Sequence, residues 1–169
     1  DDFGEKLKNY EVGLFYYAGH GLQVDGTNYL LPVDANLQSE KDVEYECIDA
    51  GRVLSKFEIA GTKTSIIILD ACRNNPFVKS WSRGIKDKGL AYLEAPPGAL
   101  VAYSTAPGSV ALDGSGLNGL YTECLLQCLG DPELNLIQVF QKVRKMVRER
   151  SSGVQIPWES TSMEGDFYF

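Results

Sequence analysis

The sequence predicts an α/β domain with a mainly parallel sheet and helices on both of its faces. Three observations support this prediction. Short apolar runs typical of buried strands alternate with longer segments of helical periodicity. Two of these strand-like runs end at chemically distinctive residues, His20 and Cys72. The chain has 169 residues, of which 44% are hydrophobic, and this is enough for one domain with its own core.

The segments alternate along the chain in the order expected of such a fold. The strand-like segments are 11–17, 28–31, 65–69, 98–103 and 166–169. The helical segments are 3–9, 49–59, 117–129 and 131–150. Asp49 is the expected N-cap of the second helix, and Asp131, followed by Pro132, is the expected N-cap of the fourth.

Composition and charge exclude several classes of partner. Sixteen basic and twenty-three acidic residues give a net charge of −7 without a block of like charge, which argues against nucleic acid or an anionic membrane. The four cysteines are not spaced as a disulfide framework, so we expect a reducing, cytoplasmic location. The chain begins at Asp1 rather than Met, and we expect an N-terminal fragment of the same protein to precede it.

His20 and Cys72 are the candidate catalytic pair. Side chains that do chemistry in an open α/β sheet lie just beyond the carboxyl ends of its parallel strands, where an imidazole can activate a thiol. The amides of Gly21 and Cys72 are the candidate oxyanion donors. The glycines on both sides of His20 are expected to let the backbone turn sharply there. A lone His or Cys is more often structural, and only their joint placement favours catalysis.

Four motifs resemble one known family. The segments Tyr17–Gly21 and Asp70–Pro76 resemble the His and Cys boxes of caspase-like cysteine peptidases, the group of caspases, metacaspases and paracaspases. The resemblance continues through 100–108 and through Gln155-Ile156-Pro157 to the final Phe167-Tyr168-Phe169, whereas 29–35 resembles paracaspases and bacterial homologues more than animal caspases. It implies a caspase-like three-layer sandwich and a cysteine endopeptidase, with Cys72 as nucleophile and His20 as its base.

The same resemblance implies how the chain is divided and what it lacks. Residues 1–169 would form one domain, with 1–77 similar to a large subunit, 78–97 as a linker and 98–169 similar to a small subunit. Family members have a first central strand before the His box, and nothing here matches it, so this strand is expected to be missing from the sheet.

Two acidic residues stand where caspases have a neutral or basic pocket residue. Asp70 takes the place of a glutamine and Asp113 that of an arginine, so the pocket is expected to select Arg, or Lys, rather than Asp. Ala18 stands where many metacaspases have Ser, while Ala111 and Leu112 would line the next subsite. The alternative is that Asp70 only binds backbone groups and that Asp113 caps a turn.

The predicted linker is rich in basic residues. Lys79, Arg83, Lys86 and Lys88 would suit self-cleavage by a peptidase with this specificity. A solvated basic loop is the ordinary alternative.

No metal or cofactor is expected. Metacaspases often need calcium, but the acidic residues between Asp25 and Glu46 lack a regular ligand spacing, so calcium is not favoured. Cys124 and Cys128 lie one helical turn apart and are expected to pack in the core. The expected partner is a protein or peptide substrate with a basic residue before the cleaved bond. Two other functions remain open: an inactive or weak caspase-fold module for assembly or signalling, and another thiol hydrolase or transferase on this scaffold.

Overall fold

The structure is a computed structural model that describes residues 2–72, 90–106, 111–112 and 116–169, with Cys72 described by its backbone alone. In this part of the chain the strands are β1 Val12–Val24, β2 Thr27–Leu30, β3 Ile48–Asp49, β4 Thr64–Cys72, β5 Ala99–Tyr103 and β6 Trp158–Thr161. The α-helices are α1 Asp2–Leu7, α2 Val43–Glu46, α3 Ala50–Ala60, α4 Leu120–Leu129 and α5 Leu136–Arg150.

The strands form one mixed sheet in the order β3-β2-β1-β4-β5-β6. Its centre is parallel, because β4 pairs in parallel with both β1 and β5. The outer strands β2, β3 and β6 are short and pair antiparallel with their neighbours. The predicted α/β sheet is therefore confirmed. Its parallel part is confined to β1, β4 and β5, of which β1 carries His20 and β4 carries Cys72.

Helices cover both faces of the sheet, which confirms the three-layer arrangement. On one face α1 and α3 pack against β4 and β5 through residues such as Phe57, Ile67 and Val101. On the other face α4 and α5 pack through Tyr121, Phe140 and the even-numbered residues of β4 and β5. All five residues of β5 are buried as a result.

Strand β1 is covered on one face only. Its residues Phe15 and Tyr17 pack against the core beneath α1 and α3. On the opposite face Val12, Leu14 and Tyr16 are 42%, 45% and 40% exposed. Helices α4 and α5 pack over β4 and β5 and reach this part of β1 only through a hydrogen bond between Thr122 of α4 and Tyr16.

The outer edge of β1 is also open over its first half. Strand β2 pairs only with Gly21–Val24 of β1. The Glu11 carbonyl accepts from the Thr64 amide, on the β4 side, whereas the His20 carbonyl accepts from the Leu31 amide, on the β2 side. In a strand the N–H and C=O of one residue point to one side, and those of the next residue point to the other side. Odd-numbered residues of β1 therefore direct their amides to β4, and even-numbered residues direct theirs to the outer edge. Over 12–19 this edge has no paired strand among the described residues.

The capping residues read from the sequence predicted the start of α3 correctly and the start of α5 incorrectly. The Asp49 side chain accepts from the Gly51 amide at 2.7 Å, so the predicted N-cap is confirmed. Helix α5 begins later than predicted, after Asn135, whose side chain forms a capping box with Gln138. Asp131 instead closes a short turn by accepting from the Glu133 amide, and a proline next to it fits that turn as well as a helix.

The predicted strand 166–169 is wrong, and β6 lies earlier. The Phe167 carbonyl accepts from the Leu136 amide at 2.7 Å, and the Phe167 ring packs against the α4–α5 core. The final residues therefore cap a helix. The polar segment Trp158–Thr161 pairs with β5 at the sheet's edge, where a strand needs no continuous apolar run.

None of the helices in the described ranges is long and apolar enough to cross a membrane. The longest, α5, has fifteen residues.

Candidate active site

The His and Cys motifs lie side by side at the carboxyl end of the parallel ladder. In the β1–β4 register, Ala18 pairs with Asp70 and His20 pairs with Cys72. Paired strands run about 4.8 Å apart, so the backbones at these positions are immediate neighbours. Four of the residues singled out in the sequence are thus brought together in two adjacent rows.

The backbone at His20 is held by two hydrogen bonds. Its carbonyl accepts from the Leu31 amide at 3.0 Å and from the Tyr17 hydroxyl at 2.8 Å. The Tyr17 hydroxyl also lies 2.9 Å from the Leu31 carbonyl, so its one proton is shared between two acceptors. Burial raises the pKa of Tyr17, which keeps this donor protonated. The His20 side chain is exposed and can be reached from solvent.

The glycines of the His motif allow close packing rather than a turn. A Cβ on Gly19 would lie 2.6 Å from the Tyr17 hydroxyl oxygen. A Cβ on Gly21 would lie 2.9 Å from Leu90 Cδ2 and 3.2 Å from Ala71 Cβ. Strand β1 runs through both glycines without a break, so the expected sharp turn at His20 is wrong.

Asp70 is half-buried and held by a side chain of α4. Its Oδ2 accepts from the Thr122 hydroxyl at 2.5 Å, and the Thr122 oxygen lies 2.6 Å from the Tyr16 hydroxyl. No Lys or Arg of the described ranges forms an ion pair with it. A Cβ on Gly119 would lie 3.4 Å from this Oδ2 and 3.7 Å from the Leu112 carbonyl, so Asp70 and Leu112 border the same small space.

The segment around Leu112 is fastened by Gln155. The Gln155 side chain is completely buried; its oxygen accepts from the Leu112 amide at 3.0 Å and its nitrogen donates to the Ser104 carbonyl at 2.7 Å. Leu112 is 38% exposed and available for contact, whereas Ala111 is buried. The end of β5 and the segment 111–112 are therefore tied together by one side chain.

Sequence reasoning missed the roles of Tyr16, Thr122 and Gln155. Tyr16 and Thr122 were assigned only to a strand and a helix, and Gln155 only to a motif. No local signal marks them, because each acts on a residue far away in sequence.

Buried hydroxyls without a partner in the described ranges lie on α4 and just after β5. Tyr121 is fully buried, and its hydroxyl has no hydrogen-bond partner among the described residues. Burial raises the pKa of Tyr121 well above its usual value, and the charge of Asp70 contributes in the same direction. Ser104 and Thr105 at the end of β5 also carry buried hydroxyls without a partner in these ranges.

Several expectations lie outside the described residues. They concern the second pocket acid and the basic linker, that is Asp113, Lys79, Arg83, Lys86 and Lys88. Within the described ranges, no three His, Cys, Asp or Glu side chains converge as a metal site would require.

Comparison with known proteins agrees with the motifs. A family model described as Caspase domain matches residues 1–168. Over 131 residues the chain is 28% identical to the human (Homo sapiens) protein named mucosa-associated lymphoid tissue lymphoma translocation protein 1, and equally to its mouse (Mus musculus) homolog. The matched region is 74% of this chain but only 15% and 14% of those proteins. The chain belongs to the caspase domain family of cysteine peptidases.

Proposed function

We propose that this domain is a cysteine endopeptidase that cleaves peptide bonds after Arg, and less readily after Lys. The observation that carries the proposal is the parallel register, which pairs His20 with Cys72 and Ala18 with Asp70. The His20–Cys72 pair would perform the chemistry, and the adjacent Ala18–Asp70 pair would receive the substrate side chain.

In the proposed reaction His20 takes the thiol proton of Cys72, and the thiolate attacks the scissile carbonyl carbon. The amides of Gly21 and Cys72 are the proposed donors to the oxyanion that forms. In this structure the register directs both amides into the β1–β4 ladder, so they would have to leave it when the substrate binds. The intermediate collapses as the C–N bond breaks, and His20 returns its proton to the leaving amine. Water then hydrolyses the thioester with His20 again as base, which restores the thiol.

Asp70 is the proposed ligand of the basic side chain. A half-buried carboxylate is costly unless a cation or hydrogen bonds compensate for its lost hydration. Among the described residues it has one hydrogen-bond donor and no cation. A guanidinium would supply the missing charge with geometry suited to a carboxylate. Asp113, Ala18, Leu112 and the backbone near Ala111 complete the proposed substrate contacts.

The test is hydrolysis of fluorogenic peptides with Arg, Lys or Asp before the reporter group. We expect cleavage of the Arg peptide, slower cleavage of the Lys peptide and none of the Asp peptide. Cys72→Ala and His20→Ala should each lower the rate by at least about a thousandfold, while Cys47→Ala serves as the matched control. Efficient cleavage after Asp would refute the proposed specificity.

Asp70→Asn tests the specificity residue separately. Leaving a bound guanidinium without its counter-charge should lower kcat/KM for the Arg peptide about a hundredfold. Asp34→Asn, at an exposed acid, should leave it unchanged. Equal kcat/KM values for the two variants would show that Asp70 does not bind the basic side chain of the substrate.

The exposed face of β1 favours a second candidate function, in which the domain acts as a weak or inactive module for assembly. Labelling with an arginine-based electrophile separates the two. Burial, assisted by the charge of Glu46, raises the pKa of Cys47 to about 11, so only about one Cys47 thiol in a thousand is ionised at pH 8. Rapid labelling of Cys72 alone supports the peptidase, and slow labelling of both supports the inactive module.

We further propose that an N-terminal segment of the same protein pairs with β1. The open outer edge and the exposed Val12, Leu14 and Tyr16 support this proposal, because an added strand would satisfy the edge amides and its connection could cover the apolar face. Hydrogen exchange of a longer protein, described in the Discussion, tests it.

A further inference from the structure

A hydrogen-bonded chain of three side chains joins β1, α4 and β4 beside the candidate site. The Tyr16 hydroxyl lies 2.6 Å from Thr122 Oγ1, and Thr122 Oγ1 lies 2.5 Å from Asp70 Oδ2. Tyr16 and Asp70 lie on adjacent strands, and Thr122 is in the first turn of α4. The chain is therefore built from three separate elements that meet only in the folded protein.

The direction of these hydrogen bonds follows from the number of protons. An ionised carboxylate only accepts, and a threonine hydroxyl has one proton to give. Thr122 must donate that proton to Asp70, and its oxygen is then left to accept from Tyr16. Burial raises the pKa of Tyr16, as does the charge of Asp70, although the bond to Thr122 lowers it. Tyr16 thus stays protonated as the first donor of the chain.

This arrangement controls how Asp70 presents its charge. Donors in series polarise one another, so the bond to Oδ2 is stronger than an isolated hydroxyl would make. It restricts rotation of the carboxylate about its terminal torsion, which is otherwise broad. Oδ2 is directed towards α4, and Oδ1 has no hydrogen bond from the described residues.

We propose that Thr122, oriented by Tyr16, is the positioning residue that fixes Asp70 to receive the guanidinium of the substrate. The inference rests on the proposed function, because it assigns a role within the same recess. Thr122 does not touch the reacting atoms. Its hydroxyl holds the acceptor in place before the substrate arrives, which lowers the entropic cost of binding.

The first test measures binding without turnover. Agmatine, a small guanidinium compound, is titrated calorimetrically into the Cys72→Ala protein. Adding Thr122→Val should weaken its affinity about tenfold, since a hydrogen bond to a charged group is lost. Thr122→Ser should restore the affinity, whereas Thr161→Val, which removes a hydroxyl on the distant strand β6, should not change it.

The second test uses the active protein. Thr122→Val should raise KM for the Arg peptide about tenfold and leave kcat within about twofold, because ground-state and transition-state binding are weakened alike. Tyr16→Phe keeps the fold intact, since this side chain is 40% exposed, and should raise KM about threefold by removing the neutral donor. If Thr122→Val does not fold, the KM of Tyr16→Phe decides whether the hydrogen-bonded chain positions Asp70.

The outcomes separate this inference from the proposed function. If the Cys72→Ala protein with Thr122 intact does not bind agmatine, both the basic-side-chain recess and the role of Thr122 are wrong. If it binds agmatine but Thr122→Val or, in its place, Tyr16→Phe leaves the affinity unchanged, the inference alone is overturned and Asp70 acts without them. A lowered melting temperature with unchanged affinity would likewise mean that the chain is only structural.

Discussion

Strands β1 and β5 both pair in parallel with β4, yet the protein surrounds them very differently. Strand β5 is buried at all five positions, with helices on both faces and β6 along its outer edge. Strand β1 has helices packed on one face, and only the Tyr16–Thr122 hydrogen bond joins its other face to α4. The first half of its outer edge has no paired strand in the described ranges. Leu100 of β5 is completely buried, whereas Leu14 of β1 is 45% exposed on the same face of the sheet.

This difference bears on the proposed function, because β1 carries His20, the candidate base. The Cys72 side of the candidate site extends from the best-packed strands of the domain. The His20 side depends on the ladder with β4, one covered face, the Leu31 amide and the hydroxyl of Tyr17. The open half of β1 is therefore where a further segment could alter the geometry of the His–Cys pair.

The largest effect is expected from truncating the same residue type on the two strands. Leu100→Ala should lower the free energy of unfolding by about 2–5 kcal/mol, because it leaves a cavity between closely packed layers. Leu14→Ala should cost less than about 1 kcal/mol, since half of that side chain is already in water. Urea unfolding measures both; losses of equal size would show that the outer face of β1 is covered.

Hydrogen exchange should resolve the two edges of β1. The amides of Leu14, Tyr16 and Ala18 point to the outer edge, and those of Phe15 and Tyr17 to β4. We expect the first set to exchange at least about a hundredfold faster, as unpaired backbone does. In a longer protein that contains the proposed N-terminal strand the two sets should become equally slow. Continued rapid exchange there would refute the pairing.

Gly13→Ala tests the covered face of β1. A Cβ at Gly13 would lie 2.6 Å from Leu7 Cδ2 and 2.7 Å from Phe57 Cε1, so overpacking should cost about 1–3 kcal/mol. Gly130→Ala is the matched control, because its Cβ would meet no atom within 4 Å and its φ is −87°. Thermal melts of the two variants give the comparison; a tolerated Gly13→Ala would mean that both faces of β1 are loose.

The smallest effect is expected at the Tyr17 hydroxyl. Tyr17→Phe removes the donor shared by the His20 and Leu31 carbonyls and should cost about 1 kcal/mol. Tyr10→Phe, at a side chain that is 66% exposed, should leave stability unchanged. Identical unfolding midpoints for these two variants would show that this hydroxyl contributes nothing to holding the His20 backbone.

Much of the fold could be predicted because its signals are local. The apolar runs before His20 and Cys72 are strands, and Asp49 caps α3 by bonding an amide two residues away. Prediction failed where a segment's partner is distant. The tail 166–169 caps α5 rather than joining the sheet, and the polar strand β6 exists because β5 offers an edge.

The candidate site divides in the same way. His20 and Cys72 could be selected from their residue types and their positions after apolar runs, and Asp70 from the resemblance to caspases. Tyr16, Thr122 and Gln155 could not, since a tyrosine in a strand and a threonine in a helix are ordinary core or surface choices. Their roles arise from contacts between residues that are far apart in sequence. The separations are 106 positions for Tyr16–Thr122, 52 for Thr122–Asp70 and 43 for Gln155–Leu112.

The sequence by itself determined most of the strands and helices and selected the two motifs proposed to carry the chemistry, because propensity, capping and alternation act over a few residues. Only the tertiary structure decided the register that aligns His20 with Cys72, the attachment of Asp70 to α4, and the exposure of one face of β1. These features depend on how layers pack over long separations, and the packing energy that selects them is a property of the whole fold.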